Sequence, residues 1–371
     1  MKKSLAKRLG NKLARVAIPL LPDSAYKEAL MKRYVNVISN IVVIVGQNCT
    51  LKCKDCANFS PYLSQILPFY PAQEIIDDMQ ELIKEAQIAY LQFQGGEFFY
   101  HPDAQEILAF ALASPRIHSI CIATNATIIP KDSMLELLAN PKVIVRISNY
   151  GDVNAKSATK LESILQARGV AVILRNTYRG AGLWSKCGDK DTKRLSQKSM
   201  QKVFASCTFA KECLTMENGF ITRCSRGTIA HLMQGFRLSG GDGVVVRPVA
   251  KRAFKTILND LALLEQAEQS TQIVQEVESS ALTLNNKNSA SNENLDDSII
   301  FASNGGGGES LPTFTYKNLQ RFITDHQPIT ACYYCYGSEG VQVVPGVQMS
   351  KEQLEIIKQN PKWSRVNALR A

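Results

Sequence analysis

Five short apolar runs, each followed by a helical pattern, restrict this chain to very few folds. "IVVIVG" (41–46), "AYLQFQ" (89–94), "SICIAT" (119–124), "KVIVRIS" (142–148) and "VAVILRN" (170–176) read as strands. Between the first two, "PAQEIIDDMQELIKEAQ" (71–87) opens with Pro and acids and repeats apolar residues at helical spacing: Ile75, Ile76, Met79, Leu82 and Ile83. Further helical patterns cover "HPDAQEILAFALAS" (101–114), Met134–Leu138 and "AKSATKLESILQARG" (155–169). Alternation at this cadence calls for parallel pairing with right-handed crossovers. The predicted fold class is α/β, and in such sheets and barrels function gathers at the C-terminal ends of the strands.

Each predicted strand end carries something unusual. The first delivers Cys49, Cys53 and Cys56; the second ends in Gly95, Gly96 and Glu97; the third ends in Thr124, Asn125 and Ala126; the fourth runs into Ser148 to Gly151. Ten cysteines in 371 residues make three within eight positions conspicuous. Thiolates at short spacing chelate metals, but three leave a tetrahedron incomplete. In an iron-sulfur cubane three thiolates hold three irons, and the fourth keeps an open position for a small ligand. The four histidines, His101, His118, His231 and His326, are remote in sequence, so zinc would need a distant ligand.

"CTLKCKDC" after a first strand, with "GGE" about forty residues later at a second strand end, resembles the radical S-adenosylmethionine (SAM) enzymes. The resemblance covers roughly residues 40 to 225 and returns near 330. It implies a partial (β/α)6 barrel, with Cys49, Cys53 and Cys56 holding a [4Fe-4S] cluster whose unique iron is chelated by SAM. It further implies reductive cleavage of SAM to a 5′-deoxyadenosyl radical that abstracts a hydrogen atom from substrate. Gly95 and Gly96 would let the backbone approach the ligand, and Glu97 would accept from the SAM amino group. Asn125 and Ser148 are candidates for SAM ribose or carboxylate contacts. The position before the third cysteine, often aromatic in this family, is Asp55 here, which changes the adenine contact.

Seven cysteines remain. Cys207, Gly219 and Cys224, followed by the pair Cys332 and Cys335, are spaced as in the twitch or SPASM extensions that carry an auxiliary [4Fe-4S] cluster. One such cluster is expected on Cys207, Cys224, Cys332 and Cys335, with Cys213 as the rival of Cys207 and zinc as the rival metal. Cys121 lies in an apolar strand and reads as a small core residue. Cys187 and Cys213 are candidate hydrogen-atom donors to a substrate radical, against the plainer reading of incidental free thiols.

Charge divides the chain further. Of the net +10, residues 1–33 hold nine Lys and Arg against Asp23 and Glu28, whereas residues 265–312 hold eight acids against Lys287. The basic segment 1–39 is expected to be a solvated helix, ahead of a membrane-surface or nucleic-acid contact. The polar, Asn- and Ser-rich stretch within 265–311 is expected to be a disordered insertion. The resulting organisation is 1–39 basic helical segment, 40–200 barrel, and 201–264 with 312–371 as the auxiliary-cluster extension. Without a secretory leader pattern or a membrane-spanning run, a reducing cytoplasm is the expected setting for clustered cysteines.

The function expected from these residues and the resemblance is hydrogen abstraction from a small polar substrate. A sugar, nucleotide-sugar or aminocyclitol is favoured, leading to dehydrogenation or epimerisation, with flavodoxin or ferredoxin as electron donor. The basic balance outside the insertion favours a phosphorylated substrate. Arg146, Tyr150 and Arg223 are candidate polar groups facing the site. A peptide maturase and a non-catalytic iron-sulfur sensor are the alternatives. Patterns for serine hydrolases, HExxH metalloproteases and P-loop enzymes are missing from the sequence.

Overall fold

A computed structural model describes residues 13, 16–64, 67, 69–176, 183–189, 192–236, 238–247 and 312–359. The expected acidic insertion and the most basic part of the N-terminal segment, residues 1–12, lie outside the described residues.

The five expected strands are all present: β1 (Ile41–Ile44), β2 (Leu91–Gln94), β3 (Ile120–Thr124), β4 (Val143–Asn149) and β5 (Ala171–Asn176). Each pairs in parallel with the next. The crossovers carry α1 (Ala72–Glu85), α2 (Ala104–Ala113), α3 (Asp132–Leu138) and α4 (Ala155–Ala167). In α1, Pro71 sets the entry, Glu74 and Lys84 complement the helix dipole, and Ile75, Ile76, Met79 and Leu82 form one buried stripe. β4 buries Val143, Val145 and Ile147 on one face by simple alternation.

The sheet extends beyond this cadence. β6 (Thr215–Glu217) runs parallel to β1, with Val42 opposite Thr215 and Ile44 opposite Glu217. β7 (Phe220–Thr222) and β8 (Val244–Val245) add antiparallel strands, giving the order β8-β7-β6-β1-β2-β3-β4-β5. Six strands are thus parallel, but the sixth flanks the first instead of following the fifth. The strands after residue 201 therefore share one sheet with the five strands before it. Its hairpin turns at Asn218-Gly219, which adopt φ of 46° and 70° as a tight turn of this kind requires. Strands of three residues are too short for periodicity to reveal.

Helices α5 (Gln197–Ser206), α6 (Ser225–Gln234) and α7 (Tyr316–Thr324) follow. Leu214, Met216, Ile221, Ile229, Leu319 and Phe322 belong to the same buried cluster as Ile44, Met79 and Phe93. Cys121 is fully buried in β3, as expected of a small core residue. Among the described residues no helix is long and apolar enough to cross a membrane.

Because Met216 is 1% exposed within this common core, Met216→Ala should cost about 2 to 5 kcal/mol. Far-ultraviolet circular dichroism and tryptophan fluorescence should lose signal in one coincident urea transition. Separate transitions would mean that the hairpin folds apart from the sheet.

Candidate active site

The loop after β1 is held from two sides. On one side, Gly96 N–H donates to Gly46 O (2.9 Å) and Glu97 N–H to Asn48 O (2.8 Å). This contact is so close that a Cβ on Gly96 would lie 2.0 Å from Asn48 O, and one on Gly95 2.5 Å from Gly46 O. The two glycines are therefore required by the chain's own backbone, where the sequence reading had them make room for a ligand.

On the other side lies a segment almost three hundred residues away. Lys54 N–H donates to Val347 O and Met349 N–H to Lys52 O, both at 2.8 Å, around an antiparallel bridge between Cys53 and Gln348. The Gln348 side chain accepts from Lys52 N–H (2.7 Å) and donates to Cys53 Sγ (3.4 Å). Gly346, at φ 76°, packs against Tyr150, where an added Cβ would come within 2.7 Å of the Tyr150 Cβ and 2.9 Å of its ring.

Glu97 is buried and receives three donors: Phe99 N–H (3.1 Å), Thr124 Oγ1 (2.7 Å) and Asn125 N–H (2.7 Å). Burial pushes its carboxyl up to about 7, and these donors oppose the rise. Glu97 thereby pins the end of β3 to the end of β2. Asn125 in turn donates from Nδ2 to Cys49 Sγ (3.4 Å) and Thr50 Oγ1 (3.1 Å). Asn154 Nδ2 bridges Asn125 O (2.5 Å) and Ser148 O (2.8 Å), which ties the ends of β3 and β4.

Around these groups is a cavity of about 280 Å³. Cys49, Cys53 and Cys56 line it together with Gly95, Gly96, Glu97, Asn125 and Ser148. Every residue expected at the first cluster and its ligand thus reaches one cavity. Asp55, Arg146, Tyr150 and Cys187 also line it, and Cys213 is not among the lining residues. Arg223 had been expected there, but its Nη2 donates to Phe322 O at 2.6 Å and it lines a different cavity. Asp55 lies 3.7 Å from Lys186 Nζ, so the position often aromatic in the family carries a partly screened carboxylate. Trp184, set edge-on to Tyr150 at 5.4 Å, completes one wall with Phe209. Asn154, Gln348 and Trp184 had no sequence signal, because their roles depend on contacts between distant segments.

The donor set fits an iron-sulfur cluster. Burial pushes the Cys49 thiol up to about 12 and the Cys53 thiol up to about 11, and neighbouring thiols add to both shifts. Thiols in this state ionise when a metal takes the proton's place. Among the described residues no three His, Cys, Asp or Glu side chains converge on a single-ion site. A polynuclear cluster spreads its ligands wider than one ion, and N–H donors aimed at the ligand sulfurs, as from Asn125 and Gln348, tune its potential.

A second group of thiols gathers beside α6. Cys224 is its N-cap residue, and Cys332 and Cys335 lie in and just after the short helix Thr330–Tyr334. Cys332 is within electrostatic reach of Cys207, Cys224 and Cys335. The Cys187 thiol donates to Ser185 O (3.4 Å) and is within electrostatic reach of Cys335 and Cys224, so it stands between the cavity and this second group.

Comparison with known proteins bears on the first site. Residues 43–149 match the family model described as the Radical SAM superfamily. The matched segment runs from within β1 to the end of β4 and includes the whole first cysteine loop. A GTP 3′,8-cyclase of Chlorobaculum tepidum is 26% identical over 117 residues, 31% of this chain and 34% of that protein. The chain therefore matches about a third of the length of this curated relative. Among solved structures, SuiB of Streptococcus suis aligns over 70% of this chain and 76% of its own, at 14% identity and a TM-score of 0.37. BtrN in complex with AdoMet and 2-DOIA aligns over 51% and 73%, also at 14% identity and a TM-score of 0.37.

Gly96→Ala should destabilise the protein by about 3 kcal/mol and loosen the cysteine loop, because backbone must move to admit the methyl group. Gly241→Ala, where a Cβ meets nothing within 4 Å, should stay within about 0.5 kcal/mol of the parent. Urea midpoints and iron retained after gel filtration measure both effects.

Proposed function

We propose that this chain is a radical SAM enzyme acting on a small polar substrate. The observation that carries the reading is that three thiols, the Gly95-Gly96-Glu97 loop, Asn125 and Ser148 converge on one cavity. Cys49, Cys53 and Cys56 would hold a [4Fe-4S] cluster and SAM would complete it. When bound, this pair supplies a 5′-deoxyadenosyl radical through one-electron cleavage of SAM.

The protein's own groups have defined work in this reading. Glu97 fixes the β2 and β3 ends relative to each other and retains acceptor capacity for the SAM amino group. Asn125 and Gln348 hold the Cys49 and Cys53 sulfurs in place. Ser148 offers a hydroxyl to the ribose or carboxylate. Trp184, Tyr150 and Phe209 shield the cavity from water, which suits a radical that must meet one chosen C–H bond.

Cys207, Cys224, Cys332 and Cys335 would hold an auxiliary [4Fe-4S] cluster. Such a site can accept the electron left when a substrate radical loses a proton, so dehydrogenation of a sugar, nucleotide-sugar or aminocyclitol is the proposed reaction class. Cys187, which lines the cavity, is the better placed of the two candidate hydrogen-atom donors and would serve an epimerase. Flavodoxin or ferredoxin would supply the first electron, in the cytoplasm.

Anaerobic reconstitution should yield about eight irons per chain, as two four-iron clusters require. With dithionite, SAM should be cleaved to 5′-deoxyadenosine, and Cys53→Ala should abolish that product in chromatography. Cleavage that survives Cys53→Ala would refute the assigned cluster site. For the substrate class, a panel of nucleotide-sugars and aminocyclitols should include at least one member that accelerates 5′-deoxyadenosine formation tenfold or more.

A further inference from the structure

Two arginines flank Cys224, and both are buried: Arg223 is 5% exposed and Arg226 is 3% exposed. Neither forms an ion pair with a carboxylate among the described residues, although Asp325 lies within electrostatic reach of Arg223. Each keeps buried N–H groups without an acceptor among the described residues, Nε in Arg223, and Nε and Nη1 in Arg226. Their satisfied donors go to backbone: Arg223 Nη2 to Phe322 O (2.6 Å) and Arg226 Nη2 to Tyr334 O (2.9 Å). Each guanidinium also rests on an aromatic face, Phe322 at 4.8 Å and Phe59 at 4.4 Å.

Buried cations without counter-ions are costly, and unmade N–H bonds add to the cost. The groups nearest these cations are thiols. Arg223 is within electrostatic reach of Cys224 and Cys332, and Arg226 of Cys335 and Cys187. The N-terminus of α6 adds to the positive field, since Cys224 is its N-cap residue and Gly227 N–H donates to Cys224 O (2.9 Å). Gly188 leaves room for the guanidinium, because a Cβ there would come within 2.9 Å of Arg226 Nη2.

We propose that Arg223 and Arg226 are the internal counter-ions of an anionic iron-sulfur cluster held by the second group of thiols, and that they raise its reduction potential. This rests on the reading of Cys207, Cys224, Cys332 and Cys335 as cluster ligands. Four thiolates on such a cluster leave it negatively charged, with sulfides and thiolate sulfurs as acceptors for the unpaired N–H groups. Reduction adds one electron, hence one more negative charge, so nearby buried cations favour the reduced form. Arg226 is also the link to the first site: it stacks on Phe59, three residues past Cys56, while bonding the carbonyl next to Cys335. Both arginines act through the cluster, as positioning and tuning residues.

The test uses the full chain with Cys49, Cys53 and Cys56 replaced by Ala, which removes the first thiol group and leaves Cys207, Cys224, Cys332 and Cys335 in place. After reconstitution with iron and sulfide, metal analysis counts the iron and a mediated redox titration followed by electron paramagnetic resonance gives the potential. One four-iron cluster is expected. Arg226→Gln should make its reduction at least tenfold less favourable, a fall of about 59 mV for one electron. Arg223→Gln should shift it in the same direction, and Arg226→Lys, which keeps the charge, should restore most of the loss. Thermal melts identify any variant that does not fold, and Arg223→Gln against Arg226→Lys then carries the comparison. A loaded cluster whose potential is the same in the charge-removing and charge-keeping variants overturns the proposal while leaving the cluster reading intact. A chain that takes up zinc, or no iron, overturns the cluster reading and the proposal with it.

Discussion

The structure turns on a close contact between two backbones. Gly95 and Gly96 approach the Gly46 to Asn48 segment so closely that neither position has room for a side chain. Two hydrogen bonds then join the loops, so the ends of β1 and β2 present one continuous surface to the cavity. Glu97 carries the restraint to β3, and Asn154 carries it to β4. Without it the three cysteines would hang on a loop with no fixed relation to the groups expected around SAM.

A second set of buried polar contacts joins this loop to the C-terminal half. Glu217, on β6, accepts from Gln47 (2.6 Å), Tyr70 (2.9 Å) and Thr228, and Ser60 donates to Gln47 Oε1 (3.2 Å). Gln47 sits in the first cysteine loop and Thr228 on α6, the helix that begins at Cys224. A buried carboxylate satisfied on several sides costs less than an unpaired one and orients everything that bonds it. The two thiol groups are therefore parts of one packed body, and Arg226, lying between Phe59 and Tyr334, adds a further mechanical and electrostatic connection.

The local readings succeeded where a single segment carries its own signal. The strands at 41–46 and 142–148 announced themselves by apolar runs, and α1 by its stripe of Ile75, Met79 and Leu82. The convergence of Cys49, Glu97, Asn125 and Ser148 followed from parallel topology, which sends successive strand ends to the same edge. Readings that depended on which distant groups meet fared less well. Arg223 went to the α7 carbonyls instead of the cavity beside the first cysteine loop.

By itself the sequence determined the α/β alternation, the cysteine triplet and the strand ends that face it, because period and spacing are local properties of a chain. Tertiary structure decided the rest: that Gln348 would reach Cys53, that Asn154 would lock two strand ends, and that Cys187 would lie between cavity and second thiol group. It also left Arg223 and Arg226 buried beside thiols with N–H groups to spare. Long-range pairing of this kind arises from burial and hydrogen-bond satisfaction across hundreds of residues, and no local pattern encodes it.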